Sequence, residues 1–95
     1  MEHVEWVVRE MSKAIGKRVD IVVKRWAHGS YVEITDVESG EYIVSANTIA
    51  IVTIAIRKPG SHAHIAYIND GRVVGTIRAV EPCGDWRVIV TVEID

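Results

Sequence analysis

Leu, Phe and Gln do not occur in this chain of 95 residues, which also contains only one Cys and two Pro. Most of its apolar side chains are instead Val and Ile, which together account for 29 residues. β-Branched side chains lose rotamer freedom in a helix but pack well on a pleated sheet. Because they occur in short runs separated by Gly, Asn, Asp and Ser, the sequence predicts a domain built mainly of β-strands.

The chain also lacks a long apolar segment and a second cysteine. Its longest apolar run, residues 49–56, is far shorter than the roughly 20 residues that a helix needs to cross a bilayer. Near the N-terminus, Glu2, Glu5 and Glu10 stand where a signal peptide would carry basic residues. Cys83 has no second cysteine for an internal disulfide. We therefore expect a cytoplasmic protein without a membrane partner.

Size and hydropathy favour self-association. Ninety-five residues suffice for one domain, which we place at 1–95, but a domain this small buries its surface incompletely. With 48% hydrophobic residues and a mean hydropathy of +0.15, the chain has more apolar side chains than such a surface easily hides. We therefore expect a homo-oligomer. The absence of Gln and the Val/Ile-rich composition are also typical of heat-adapted proteins.

One segment has the apolar periodicity of a helix. The apolar side chains that share its stripe are Val4, Val7, Val8, Met11, Ala14 and Ile15. Acidic Glu5 near the start and basic Lys13 near the end complement the helix dipole, and Gly16 is a typical terminator. The pattern predicts a helix over residues 2–15 that buries this stripe.

The rest of the sequence is typical of short strands joined by turn residues. We predict strands at about residues 18–27, 30–37, 41–45, 48–57, 63–69, 72–80 and 86–95. The dipeptides His28-Gly29, Ser39-Gly40 and Asp70-Gly71 suit two-residue hairpin loops, and residues 82–85 suit a four-residue loop. Strands joined in this way are antiparallel.

The predicted fold class is α+β and mainly β. We expect one N-terminal helix packed on an antiparallel, strongly curved sheet or small barrel of about six to seven strands, with a sandwich as the alternative. Residues 49–56 do not alternate between apolar and polar, which predicts a central strand covered on both faces. Residues 86–95 do alternate, which predicts a strand with one buried face.

Charge is distributed unevenly along the chain, although the net charge is only −2. Residues 13–28 hold five basic side chains against one acidic one, and residues 29–56 hold four acidic side chains and no Lys or Arg. If strands from these neighbouring segments pair, the charges neutralise one another and create no strongly basic surface. This pattern does not favour a nucleic-acid-binding protein, in which a basic domain would be expected.

A nucleic-acid interface nevertheless stays open as an alternative. Aromatic and basic side chains occur together around the first predicted hairpin, where Trp26 and Tyr31 are expected to face each other as stacking rings. The candidate contact residues are Lys17, Arg18, Lys24, Arg25, Trp26, His28 and Tyr31. The competing interpretation is a structural cross-strand aromatic pair whose neighbouring cations are solvated or paired with carboxylates.

Trp6 is the candidate contact residue for assembly. It falls on the side of the predicted helix away from the apolar stripe, which predicts an outward-facing ring. Exposed tryptophans are enriched at the anchors of protein interfaces, so Trp6 would contact a second copy. The alternative is that another part of the same chain folds over it.

His62 and His64 form the most metal-like feature. Residues two apart on a strand point to the same face and can present two imidazoles to one ion. A site needs at least one further ligand, which the sequence does not identify, and the plainer interpretation is two histidines on an edge strand beside a turn. We find no catalytic or cofactor motif and expect no cofactor and no catalytic residues.

Three functions follow, in order of preference. The first is a non-catalytic binding or assembly module that acts as a homo-oligomer, with an unknown protein partner. The second is an RNA-binding or single-stranded DNA-binding module using the hairpin around residues 24–31. The third is a metal-dependent site at the His62/His64 pair.

Overall fold

A computed structural model of the chain describes residues 2–27, 29–45, 51–62, 64–66, 68 and 71–95. Helix α1 spans Glu2–Ser12 and is followed by seven strands. The strands are β1 (Arg18–Trp26), β2 (Gly29–Asp36), β3 (Tyr42–Val44), β4 (Val52–Arg57), β5 (His64–Ala66), β6 (Gly71–Cys83) and β7 (Arg87–Ile94). The predicted fold class is confirmed, because the chain is mostly strand and its N-terminal helix packs on the sheet.

Helix α1 ends three residues earlier than the sequence predicts. After Ser12 the backbone forms hydrogen bonds between residues three apart, as in a 3₁₀ turn, with the Ala14 N–H donating to Met11 O at 3.0 Å. These turns end at Gly16, whose φ of 90° suits glycine. Ile15 therefore lies beyond the helix and is 49% exposed. Within the described part of the chain, no helix has the length and apolar character needed to span a membrane.

The strands form one sheet in the order β3-β2-β1-β6-β7-β4-β5. Neighbours are antiparallel except β4 and β7, which run parallel, so the prediction of an all-antiparallel sheet is wrong at one pair. The expected hairpin at Asp70-Gly71 is also wrong, because β7 and β4 separate β5 from β6. The other three predicted hairpin pairings are confirmed.

The last hairpin turns later than expected. Pro82 and Cys83, predicted to lie in a loop, belong to β6 and pair with Val88 and Arg87. The turn occupies residues 84–86, with Gly84 at a φ of 71°. A register shift in β6 between Ile77 and Ala79 makes Arg78 an extra residue, and such bulges increase local twist.

The sheet is open and does not close into the predicted barrel, since no pairing joins β3 to β5 among the described strands. The core nevertheless includes side chains from six of the strands, on the sheet face that contacts α1. Seven strands laid flat would span about 29 Å, whereas a helix is about 10 Å wide. One short helix cannot cover that width of a flat sheet, and α1 contacts β3, β6 and β7.

Two strand predictions can be compared directly with the core. In β7, Val88, Val90 and Val92 are fully buried, which confirms the predicted alternation. In β4, four consecutive residues from Val52 are buried, which confirms coverage of both faces. This strand is not central, however, because it lies next to the edge strand β5.

Gly75 allows β6 and β7 to approach each other closely in the middle of the sheet. A Cβ atom at this position would overlap the backbone of Glu93 and Ile94 on β7. The close approach of β6 and β7 therefore requires glycine here.

Candidate assembly interface

The basic hairpin differs in register from the prediction. Tyr31 pairs with Lys24, and Trp26 pairs with Gly29, so the two aromatic residues do not face each other. The Lys24 ammonium lies 5.9 Å from the centre of the Tyr31 ring, within range of a cation–π contact. His28 and the side chain of Trp26 lie outside the described part of the structure.

The candidate nucleic-acid residues do not form one patch. Adjacent strand residues point to opposite faces, so Lys24 and Arg25 face different sides of the sheet. Arg18 lies at the other end of β1, six residues or about 20 Å from Lys24. The structure therefore divides the predicted residues among three places.

Both basic residues at the start of β1 have carboxylate partners. Arg18 donates through Nε to Asp95 Oδ2 at 3.0 Å and through its terminal nitrogen to the same oxygen. This hydrogen bonding raises the pKa of Arg18 and lowers that of Asp95, and the opposite charges add to both shifts. Lys17 Nζ lies 3.4 Å from Asp36 Oδ2. The neutralisation predicted between residues 13–28 and 29–56 is present in the Lys17–Asp36 pair, whereas Arg18 pairs with Asp95, outside both segments.

Asp36 organises the turn between β2 and β3. Its Oδ1 accepts the backbone N–H of Glu38 at 2.9 Å and that of Ser39 at 3.4 Å, a side-chain turn typical of aspartate. The Glu38 hydrogen bond lowers the pKa of Asp36, burial opposes it, and the Ser39 N–H and Lys17 lower it further. The carboxylate has a structural role in the turn.

An apolar groove lies between α1 and the β6–β7 turn. It has a volume of about 710 Å³ and is lined by Val4, Glu5, Val8, Arg9, Pro82, Gly84 and Asp85. Trp86 on the same turn is 52% exposed and its ring lies 4.6 Å from the Arg87 guanidinium. The cation and the ring cover each other, which reduces the apolar surface that the turn presents.

Trp6 is placed differently from its prediction. Its side chain is half-buried and packs against the core, so the expectation of an outward-facing ring is wrong. The indole is long enough to reach the core from the side of α1. Ile15, which was predicted to belong to the apolar stripe, lies beyond the end of the helix. Whether Trp6 also contacts a second copy stays a prediction.

His62 and His64 are both exposed, and His64 begins β5. On β5, His64 pairs with Ile56 of β4, which places it at the border of the face that carries the core. Among the described residues, no group of three or more His, Cys, Asp or Glu side chains could hold a metal ion. One chain therefore supplies two imidazoles at this place.

β5 is an edge strand with an exposed apolar side chain. β5 lies at the end of the strand order, and within the described elements it contacts β4 alone. Ile65, in its middle, is 66% exposed. An edge strand presents unpaired backbone N–H and C=O groups that can pair with another chain.

Charge does not protect this edge. Residues 59–69 contain no Lys, Arg, Asp or Glu, although edge strands commonly carry charged side chains that prevent pairing with other molecules. The uncharged run and the strand within it were both visible in the sequence, but Ile65 was not singled out. Local patterns do not encode that β5 has one neighbour among the described strands.

Comparison with known proteins gives no relative for this chain: no protein-family model, curated protein or solved structure matches it.

Proposed function

We propose that this protein is a non-catalytic assembly module that forms a homo-oligomer by pairing the β5 edges of two copies. The observation that carries the proposal is the uncharged β5 strand, which lies at the edge of the sheet among the described strands and exposes Ile65 at its centre. Around a two-fold axis, identical edges meet in antiparallel orientation, so the two sheets would continue across the seam. The backbone groups along β5 would then gain hydrogen-bond partners.

The expected gain in free energy is modest. Burying an isoleucine contributes about 1.5–3 kcal/mol, and each copy contributes one at this edge. A three-residue strand buries well under the roughly 1,200 Å² of a standard stable interface. We therefore expect a weak dimer whose population depends on concentration.

The two edges of the sheet provide a matched experiment. Tyr42 on β3 is 65% exposed, nearly the same as Ile65 on β5. In sedimentation velocity, wild type and Tyr42→Lys should dimerise as concentration rises, while Ile65→Lys should raise the dimer dissociation constant at least about tenfold. A wild-type protein that stays monomeric throughout, or equal effects of the two substitutions, would refute β5 pairing.

A nucleic-acid function has one observation in its favour, the cation–π contact that keeps Lys24 and Tyr31 together on one face. The separation of the other candidate residues and the carboxylate partners of Lys17 and Arg18 weaken it. Retention on RNA or single-stranded DNA at low salt that is lost in Lys24→Glu would support this alternative. Absence of retention by the wild type would end it.

A further inference from the structure

We propose that the groove between α1 and the β6–β7 turn binds a small organic cation, with an ammonium or guanidinium group on an apolar body. The inference does not depend on assembly through β5, because the described lining residues come from α1, the end of β6 and the turn. Two observations carry it together: the apolar lining of the groove, and an unpaired carboxylate on each of the two elements that form it.

The apolar part of the groove is built from α1 and the end of β6. Val4 and Val8 lie one helical turn apart on α1, so their side chains are neighbours on one face. Val4 belongs to the core and Val8 packs against it, which holds this wall in place. Pro82 is exposed and lines the groove from β6. The volume of about 710 Å³ lies within the range of small-molecule sites.

Carboxylates border this apolar surface on both elements. Glu5 follows Val4 on α1, and Asp85 lies in the turn that faces the helix. Within the described part of the chain, neither carboxylate has a hydrogen bond or an ion pair. An apolar ligand that carries a positive charge would supply the missing partner, whereas one that carries a negative charge would be repelled.

The guanidinium that lines the groove does not cancel these charges. Arg9 lies four residues after Glu5, the spacing of a helical ion pair, but its Nε lies 3.8 Å from Glu10 Oε1 instead. Glu10 also lies 3.2 Å from Lys13 Nζ. The described lining therefore has two carboxylates against one guanidinium that already has a carboxylate beside it. This balance favours a cationic ligand.

The test is ¹H–¹⁵N NMR titration of the full chain at low salt and neutral pH with hexylammonium chloride, sodium hexanoate and 1-hexanol. Hexylammonium should shift the amide signals of residues 4–9 and 84–85 and bind at least about threefold more tightly than hexanoate. The uncharged hexanol should lie between the two. Ethylammonium has the same charge but a shorter chain, and should bind at least about tenfold more weakly than hexylammonium.

Substitutions that remove a charge but keep the shape of the side chain locate the binding. Glu5→Gln and Asp85→Asn should each weaken hexylammonium binding at least about twofold, and the double variant should lose the preference over hexanoate. Glu81→Gln is the matched control, because Glu81 is exposed on β6 but is not among the described lining residues. It should bind hexylammonium as the wild type does.

Three results would overturn the inference. Amide shifts that lie outside the groove, or no shifts at all, would show that hexylammonium does not bind there. Equal affinity of the wild type for hexylammonium and hexanoate would show that the carboxylates select nothing. Tighter binding of hexanoate that is lost in Arg9→Gln would identify an anion site instead. Each of these results leaves the proposal of β5 pairing unchanged.

Discussion

The two edges of this sheet are strands of equal length with opposite surroundings. β3 packs against α1, and its Val44 is 1% exposed within the core. The segment that leads into β3 carries the acidic side chains of Glu38 and Glu41. β5 contacts β4 alone among the described elements, and the run of residues 59–69 that contains it has no Lys, Arg, Asp or Glu. The comparison teaches that α1 packs against one edge strand, whereas the other edge strand contacts only its neighbouring strand among the described elements.

The largest expected difference between the edges is in folding stability. Val44→Ala removes two buried methyl groups from the core and should lower the free energy of unfolding by about 2 kcal/mol. Ile65→Ala alters an exposed side chain and should change it by no more than about 0.5 kcal/mol in the monomer. Urea denaturation at low protein concentration measures both values. Equal losses would mean that β5 is packed as firmly as β3.

A second substitution separates the helix surface from the β5 edge. Trp6→Ala removes a half-buried ring that packs on the core, so it should lower the free energy of unfolding by about 1–2 kcal/mol. The dimer dissociation constant should stay within about twofold of wild type when the protein is folded. Light scattering below the melting temperature tests this, and a clear loss of dimer would place Trp6 in the contact.

Acid should weaken the turn between β2 and β3. The lowered pKa of Asp36 means that its contribution to stability is present above the ordinary carboxylate range and is lost as pH falls through the folded-state value. Asp36→Asn should therefore destabilise the protein near pH 6, and the difference from wild type should shrink below about pH 4. Thermal melts across this range measure the effect. A constant difference at every pH would contradict the role of the carboxylate.

Salt should have the smallest effect. Surface charges are screened over roughly 10 Å in 0.1 M salt, and the β5 segment contains none of its own. Raising NaCl should change the dimer dissociation constant by less than about twofold. Sedimentation at low and high salt checks this. A steep decrease in association would instead indicate an interface made by charged residues elsewhere.

The parts of the fold that the sequence predicted are those with local causes. Turn residues correctly predicted which strands pair in three hairpins, and the alternation in β7 identified its buried valines. The parallel pairing of β4 with β7 joins segments far apart in the chain, and no local pattern encodes it. The barrel was wrong for the same reason, since closure depends on which strands lie at the edges.

The candidate site was only partly predictable. The interpretation of His62 and His64 as edge-strand residues is confirmed for His64, which begins β5. Trp6 was misplaced because helical position gives the direction of a side chain but not the reach of an indole. Lys24 and Arg25 looked like one patch in sequence, although neighbouring strand residues face opposite ways.

The most direct measurement of the difference between the edges is amide hydrogen exchange on the unmodified protein at low and high concentration. Pairing of β5 with a second copy predicts that amides in residues 64–66 become more protected as concentration rises, while those in residues 42–44 keep the same protection. Protection of residues 64–66 that does not change with concentration, in samples where dimers form, would contradict the assignment of β5 as the assembly edge.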